Sequence, residues 1–287
     1  MSDVLLPKNL HEVWNIFNKS PGALVYAGGT DLLVKFASSG TTRPSPGVLI
    51  CLENIEELWG VRETDGRVRI GACVTHSSLL SHPLIGSNFP LLLKALRLLG
   101  SPPVRNMGTL GGNICTASPA GDALPALYLL NAELEIVSQE GARFMSIDRF
   151  IKGPRHTGLQ SGEILAAIWL GKDNDYTVHH FEKVGQRNAL AISIASMAAL
   201  IKLSSEGVIE KIRLAWGSVA PTIALSLEIE AALSGKPLSQ AVLSKAKPLL
   251  NQTISPIDDI RAKAQYRRTV AANLLMRLSQ YNGHDTV

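Results

Sequence analysis

Cysteine is scarce: three residues in 287. Cys51, Cys73 and Cys115 form no C-x-x-C pair, and three thiols cannot supply the four ligands of an ordinary iron–sulfur cluster. A disulfide scaffold is excluded on the same count, and Cys51 and Cys73 read as small buried thiols. Charge is thin as well, at 18% of residues with a net +4. The basic residues form no run and do not interleave with aromatics, so nucleic acid is not an expected partner. The longest apolar stretch, NALAISIASMAALI, is closed by Arg187 and Lys202 and is too short to span a bilayer. The opening residues MSDVLLPKNLHEVWNIF carry an acid, a proline and a lysine where a signal peptide needs a basic end and an apolar run. A cytoplasmic protein is expected. Neither G-x-G-x-x-G nor the P-loop pattern ending in Gly-Lys-Ser/Thr occurs among the glycine-rich segments.

What the chain does have is enough length for a sizeable core, in two domains or one domain with subdomains. Its first part alternates strand and helix signals: a helix over Pro7–Phe17, a strand running through AGGTDL into another helix, and buried strands in GVLICLENI and in RVRIGACVT up to Thr75. FPLLLKALRLLG reads as a helix capped by Gly100, with Pro102 and Pro103 forbidding continuation. A further helix begins near Asp122, followed by a strand ending near Ser138. After a boundary near residues 172–176 the signal changes to two long extended segments joined by SSEG, then helices. In the last helix Ala262, Tyr266, Val270, Leu274 and Leu278 recur at i+4 as one apolar stripe, and Arg261, Lys263, Arg267 and Arg268 flank it as a solvated or partner-facing surface.

Two segments share a design: AGGTDL (Ala27 to Leu32) and GTLGGN (Gly108 to Asn113). Each is read as following an extended segment. Glycine permits positive φ and close approach of a ligand to the backbone, and successive N–H groups in such a turn make an anion site without a lysine. Thr30, Thr109 and Asn113 add side-chain groups. Six charge-assisted hydrogen bonds of roughly 1.5–3 kcal/mol give on the order of 10 kcal/mol. Association itself costs an estimated ~4–15 kcal/mol. A ligand held here therefore needs a large flat apolar part besides its phosphates, as a dinucleotide has. Asp122 reads either as the N-cap of its helix or as a carboxylate accepting from a ribose hydroxyl or an amide. His76 reads as a cap or surface residue, and His179 and His180 as strand residues.

VYAGGTDLLV together with GTLGGNICTASPAGDALPAL closely resembles the flavin-binding subunit of molybdenum hydroxylases, the family of the medium subunits of carbon monoxide dehydrogenase and bacterial xanthine dehydrogenase. GEILAAIWL, FEKVGQRNALAIS, RLAWGSVAPT and IDDIRAKAQYRRTVAANLLMRL look like the family's later landmarks, in its order. The resemblance implies an α+β protein. Residues 1–173 would be a two-subdomain FAD-binding domain of the vanillyl-alcohol-oxidase-like type, divided at about 57/58. Residues 174–287 would be a C-terminal domain of antiparallel sheet and helices. It implies FAD held without a covalent bond. Val25, Tyr26, Ala27, Gly28, Gly29, Thr30, Asp31 and Leu32 would wrap one side of the diphosphate. Thr109, Leu110, Gly111, Gly112 and Asn113 would take the other, with Ser118 and Asp122 nearby. Leu99, Leu165 and Lys183 match positions lining the flavin or adenine parts, although a lysine on a strand is by itself most often a solvated edge charge.

The family pattern also implies an oxidoreductase subunit with no catalytic acid, base or metal of its own. Hydroxylation would belong to a large molybdenum-cofactor subunit, and a small subunit with two [2Fe–2S] clusters would deliver electrons. A dimer of heterotrimers is implied, with NAD, a ferredoxin or a quinone as final acceptor. Members of the carbon monoxide dehydrogenase type place an aromatic residue in the stretch matching Asn188–Ala191; here the sequence is NALA, which favours the xanthine-dehydrogenase-like branch. A free-standing flavin oxidase or reductase of the same superfamily, and a non-redox nucleotide-sensing module, are the competing readings.

Overall fold

A computed structural model describes residues 3–34, 47–172, 175–187 and 190–281. It is an α+β fold whose described strands form three sheets and one short ribbon. Two compact units emerge. The first comprises 1–84, 101–117 and 132–171, and the second 85–100, 118–131 and 172–287.

In the first unit, β1 (Asp3–Leu5), β2 (Leu24–Tyr26) and β3 (Val48–Cys51) form a parallel sheet of order β1-β3-β2. The helix Leu10–Lys19 connects β1 to β2. Asn9 caps it by accepting from Glu12 N, and Val13 and Trp14 are its buried residues. A five-stranded antiparallel sheet follows, built from β4 (Val61–Thr64), β5 (Arg67–Gly71), β6 (Glu133–Ser138), β7 (Gly141–Ser146) and β10 (Ile164–Gly171). Its order is β4-β5-β10-β6-β7, and β8 (Ile151–Gly153) with β9 (His156–Thr157) make the ribbon. One cluster joins the two sheets: Val13, Ile50, Ile55, Leu58, Cys73, Ile164 and Ala166. β5 stops at Gly71 rather than running to Thr75, because there the chain turns against Leu58, whose carbonyl would lie 2.3 Å from any Cβ at that position.

In the second unit, β11 (Val178–Val184), β12 (Ala195–Leu203), β13 (Ile209–Gly217) and β14 (Ala224–Leu225) form an antiparallel sheet. The first of the two long extended segments is thus two strands, and residues 185–187 and 190–194 between them belong to neither. SSEG does make the β12–β13 connection. The helix Ala264–Arg277 contributes Val270, Leu274 and Leu275 to this unit's core. The apolar stripe is shorter than the sequence suggests. Four residues are 400° of helix, so an i+4 row drifts by about 40° per step. Ala262 precedes the helix, and Tyr266 is half exposed. The flanking charge is also misjudged: Arg267 is only 4% exposed. Its guanidinium donates to Ile194 O at 2.6 Å, to Ser218 O at 3.0 Å and to Asp259 Oδ1 at 2.7 Å. It is an internal staple rather than a surface charge.

The five-stranded sheet has a polar clasp of its own. Arg69 Nε on β5 donates to Glu135 Oε2 on β6 at 3.0 Å, and Trp169 Nε1 on β10 donates to the same oxygen at 2.7 Å. Burial pushes the Glu135 carboxyl up, but the bonds from Arg69 and Trp169 outweigh it and hold the group below its ordinary value. Arg69→Met should cost about 1–3 kcal/mol in urea unfolding, the penalty of an unmet buried acceptor. A depressed folded-state pKa stabilises fully above the unfolded value and ceases to do so as pH falls through the folded one. The gap between wild type and Arg69→Met should therefore be widest above pH 4.5 and shrink below it.

Candidate functional site

The expected site residues divide between the two units. Residues 25–32, 109–113 and Leu165 belong to the first, and Leu99, Ser118, Asp122 and Lys183 to the second.

In the first unit β2 ends at Tyr26 and the chain enters Ala27-Gly28-Gly29-Thr30, with helix resuming over residues 32–34. A Cβ on Gly28 would sit 1.7 Å from Met107 O, so only glycine lets this loop approach the second one. Gly29 has φ +66, and a side chain there would also meet Leu33. The amides of Gly28, Gly29 and Thr30 find no acceptor among the described residues. Asp31 Oδ2 accepts from Thr116 Oγ1 at 3.3 Å, tying this loop to the helix beyond the second. Val25 pairs with Ile50 in the sheet. Tyr26 bonds Cys51, and burial with that bond raises its phenol to about 12. Leu32 is half-buried.

The second segment differs from its expected form. It does not follow a strand: Pro102 and Pro103 open a helix, Pro102–Met107, capped by Ser101, and Gly108 ends it. Nor is it a loop throughout, since Thr109 caps a further helix, Leu110–Thr116. Its amides are already engaged: Leu110 N donates to Val74 O and Gly111 N to Ala72 O, each at 3.0 Å. Gly112 N donates to Thr109 Oγ1 and Asn113 N to Thr109 O, also at 3.0 Å. The amides of Leu110 to Asn113 are therefore used inside the protein, as a braced helix start uses them. Gly111 is required by packing, as its Cβ would lie 2.5 Å from Ala72 Cβ. Gly112 faces more open space, meeting only Thr109 Oγ1 at 2.9 Å. Asn113 Oδ1 is buried without a partner. Cys115 is a free thiol that burial raises to about 12. Leu165 lies on β10 at 3% exposure.

In the second unit Asp122 is not the N-cap of its helix. Ala123 holds that position ahead of Leu124–Leu129. Asp122 Oδ2 instead accepts from Lys183 Nζ on β11 at 2.6 Å, with both side chains at least nine-tenths buried. Lys183 Nζ also donates to Ala191 O at 3.1 Å, ahead of β12. Lys183 is thus no solvated edge charge. Burial pushes the Asp122 carboxyl up to about 6 against the pull of Lys183. Its second oxygen, Oδ1, is buried and unmatched. Ser118 Oγ accepts from Ala120 N at 3.3 Å, and Leu99 is buried at a helix C-cap. Leu190 has φ +56 and is 51% exposed, while Asn188 and Ala189 lie outside the described residues.

Sequence reasoning also missed His76. It is 2% exposed, whereas Thr75 provides the cap by accepting from Ser78 N. The isolated histidine in a polar run carried no sign of burial.

Each unit by itself offers polar groups of the kind a dinucleotide needs. In the first, the amides of Gly28, Gly29 and Thr30 are unmet among the described residues and Asn113 has an orphaned amide oxygen. In the second, Asp122 has an unmatched oxygen beside the Lys183 cation. Among the described residues no group of His, Cys, Asp and Glu could hold a metal ion, and no helix is long and apolar enough to cross a membrane.

The family model described as the FAD binding domain in molybdopterin dehydrogenase matches residues 1–171, and that of the CO dehydrogenase flavoprotein C-terminal domain matches 180–281. The nicotinate dehydrogenase FAD-subunit of Eubacterium barkeri is 28% identical, over 95% of this chain and 93% of its own. The xanthine dehydrogenase FAD-binding subunit of Escherichia coli O157:H7 is 30% identical, over 90% and 88%. Among solved structures, a chain of Cu,Mo-CO dehydrogenase superposes with a TM-score of 0.90 at 27% identity, covering 98% of this chain and 97% of its own. A chain of quinoline 2-oxidoreductase from Pseudomonas putida 86 gives 0.92 at 26% identity, covering 99% and 97%.

Removing one member of the buried pair, by Asp122→Ala or Lys183→Met, should destabilise the second unit by about 3–5 kcal/mol. The double variant should lose less than the sum of the two, in a double-mutant cycle followed by denaturant unfolding. Additive losses would mean that the two groups do not interact.

Proposed function

Because the chain belongs to the FAD-binding subunits of the molybdenum hydroxylases, the xanthine and carbon monoxide dehydrogenase family, we propose that it is the electron-transfer subunit of such a complex. It would take electrons from [2Fe–2S] clusters of a small partner subunit and pass them through FAD to an acceptor such as NAD. A large subunit with the molybdenum cofactor would hydroxylate the substrate. The observation that carries the reading is the first glycine loop, whose unmet amides at Gly28, Gly29 and Thr30 suit a diphosphate.

FAD, when bound, supplies the conversion between one-electron and two-electron transfer; the protein supplies position and environment. In this proposal residues 1–173 form the FAD-binding domain and 174–287 the C-terminal domain. Val25 to Leu32 wrap the diphosphate, with Gly28 to Thr30 donating main-chain N–H groups. Thr109 to Asn113 border it from the other side, mainly through the open face of Gly112 and the Asn113 amide. Asp122 Oδ1 accepts from a ligand hydroxyl while Lys183 balances the charge. Ser118 lies near the polar part, and Leu99 and Leu165 give apolar lining. No residue acts as a general acid or base. The complex would be a dimer of heterotrimers in the cytoplasm.

Gly112→Val separates ligand binding from folding. It displaces the Thr109 cap at a cost of about 1 kcal/mol, so the chain should remain folded. Its β-branched side chain should block the ligand face and weaken FAD at least about a hundredfold, as a loss of roughly 2.7 kcal/mol does. A variant that purifies fully flavinated would overturn the loop assignment. The wild-type chain, tagged in its native host, should purify with flavin absorption overlaid by broad iron–sulfur bands. Flavin bands from a single polypeptide that turns over by itself would support the free-standing flavoenzyme instead.

A further inference from the structure

We propose that His76 is a positioning residue for the ligand, setting the spacing of the two glycine segments and hence the affinity for a nucleoside diphosphate. The inference rests on the reading that these segments hold the diphosphate of FAD. A Cβ built on Gly108 would meet His76 Cδ2 and Thr30 Oγ1, each at 3.3 Å. The imidazole and the first loop's hydroxyl therefore flank the same glycine of the second segment. The main chain adds a brace, with His76 N donating to Gly108 O and Leu110 N to Val74 O, both at 3.0 Å. Residues 74–76 thus lie along 108–110 as a splint, with the imidazole one neighbour of Gly108 and Thr30 Oγ1 another.

The choice of histidine is informative. Nδ1 is buried without a hydrogen-bond partner among the described residues, an arrangement that destabilises the fold. A leucine would fill the space without that penalty, so packing alone does not account for a polar ring here. Burial, with Arg105 adding to it, lowers the ring's pKa to about 4. At neutral pH the imidazole is therefore uncharged. Its contribution is shape and dipole, with the first loop's own amides left to meet the anion.

The test uses the full chain, stripped of flavin, as wild type, His76→Leu and His76→Asn. The probes are FAD and ADP, titrated by fluorescence and calorimetry, with the ligand-free melting temperature measured alongside. His76→Leu should weaken FAD and ADP at least about tenfold while the melting temperature stays level or rises. His76→Asn, which keeps a polar group near the position of Nδ1, should recover affinity to within about threefold of wild type, a difference of roughly 0.7 kcal/mol. Unchanged affinities in the leucine variant would overturn the proposal. So would loss of affinity accompanied by a matching drop in melting temperature, which would make His76 a structural residue only. Failure of the wild type to bind either probe would overturn the underlying reading rather than this one.

Discussion

Two backbone segments of the first unit approach so closely at Gly28 and Met107 that no side-chain carbon fits between them, and the rest of the site depends on that contact. A Cβ at Gly28 would fall 1.7 Å from the Met107 carbonyl oxygen, far inside any van der Waals limit. The contact explains why glycine must stand two residues after β2 ends at Tyr26. Residues 74–76 brace the second segment from another side. Bringing two main chains together leaves polar groups to satisfy. The structure satisfies them on one side, through rungs from Leu110 to Val74 and from Gly111 to Ala72, and leaves them unmet on the other.

The second unit relies on a different constraint, buried charge. Asp122 with Lys183, and Arg267 with Asp259, put ionised groups where solvent is scarce. Replacing such pairs by apolar groups is often neutral or stabilising, so they are weak evidence for stability. Here each is joined to main-chain carbonyls around one loop. Lys183 reaches Ala191 and Arg267 reaches Ile194, both in the segment between β11 and β12. The charges therefore fix where that loop runs, while the apolar core of β12, β13 and the Ala264–Arg277 helix provides the bulk of the stability.

Much of this was legible in the sequence, and the misses share one cause. Strand, glycine turn and helix at residues 24–34 follow from local chemistry, as do the Gly100 helix end and the SSEG hairpin. Residues whose roles depend on distant partners were misread. Arg267 sits among basic neighbours at helical spacing, and nothing local reveals that three acceptors from other elements converge on it. Asp122 has the form of an N-cap, and its lysine lies 61 residues away. In the segment at 176–203 the one glycine, Gly185, reads as tolerated within a strand, yet β11 ends just before it and the run divides into two strands. His76 was invisible for the same reason: its ring is buried near Gly108, more than thirty residues on in the chain.

The pairing of AGGTDL with GTLGGN is the most instructive case. As sequence they look like two copies of one device, each a small-residue turn flanked by threonine. As structure they divide the work. In the second, Thr109 and the 72–74 backbone take up the amides, so glycine serves close packing at Gly111 and an open face at Gly112. In the first, the amides remain available. An anion site needs free donors held rigidly, and a loop cannot be rigid through its own hydrogen bonds while also keeping its donors free. Rigidity must then come from outside it. Met107 against Gly28 and Thr116 to Asp31 supply it from the braced segment. One segment has its amides engaged, and the other keeps its own free among the described residues.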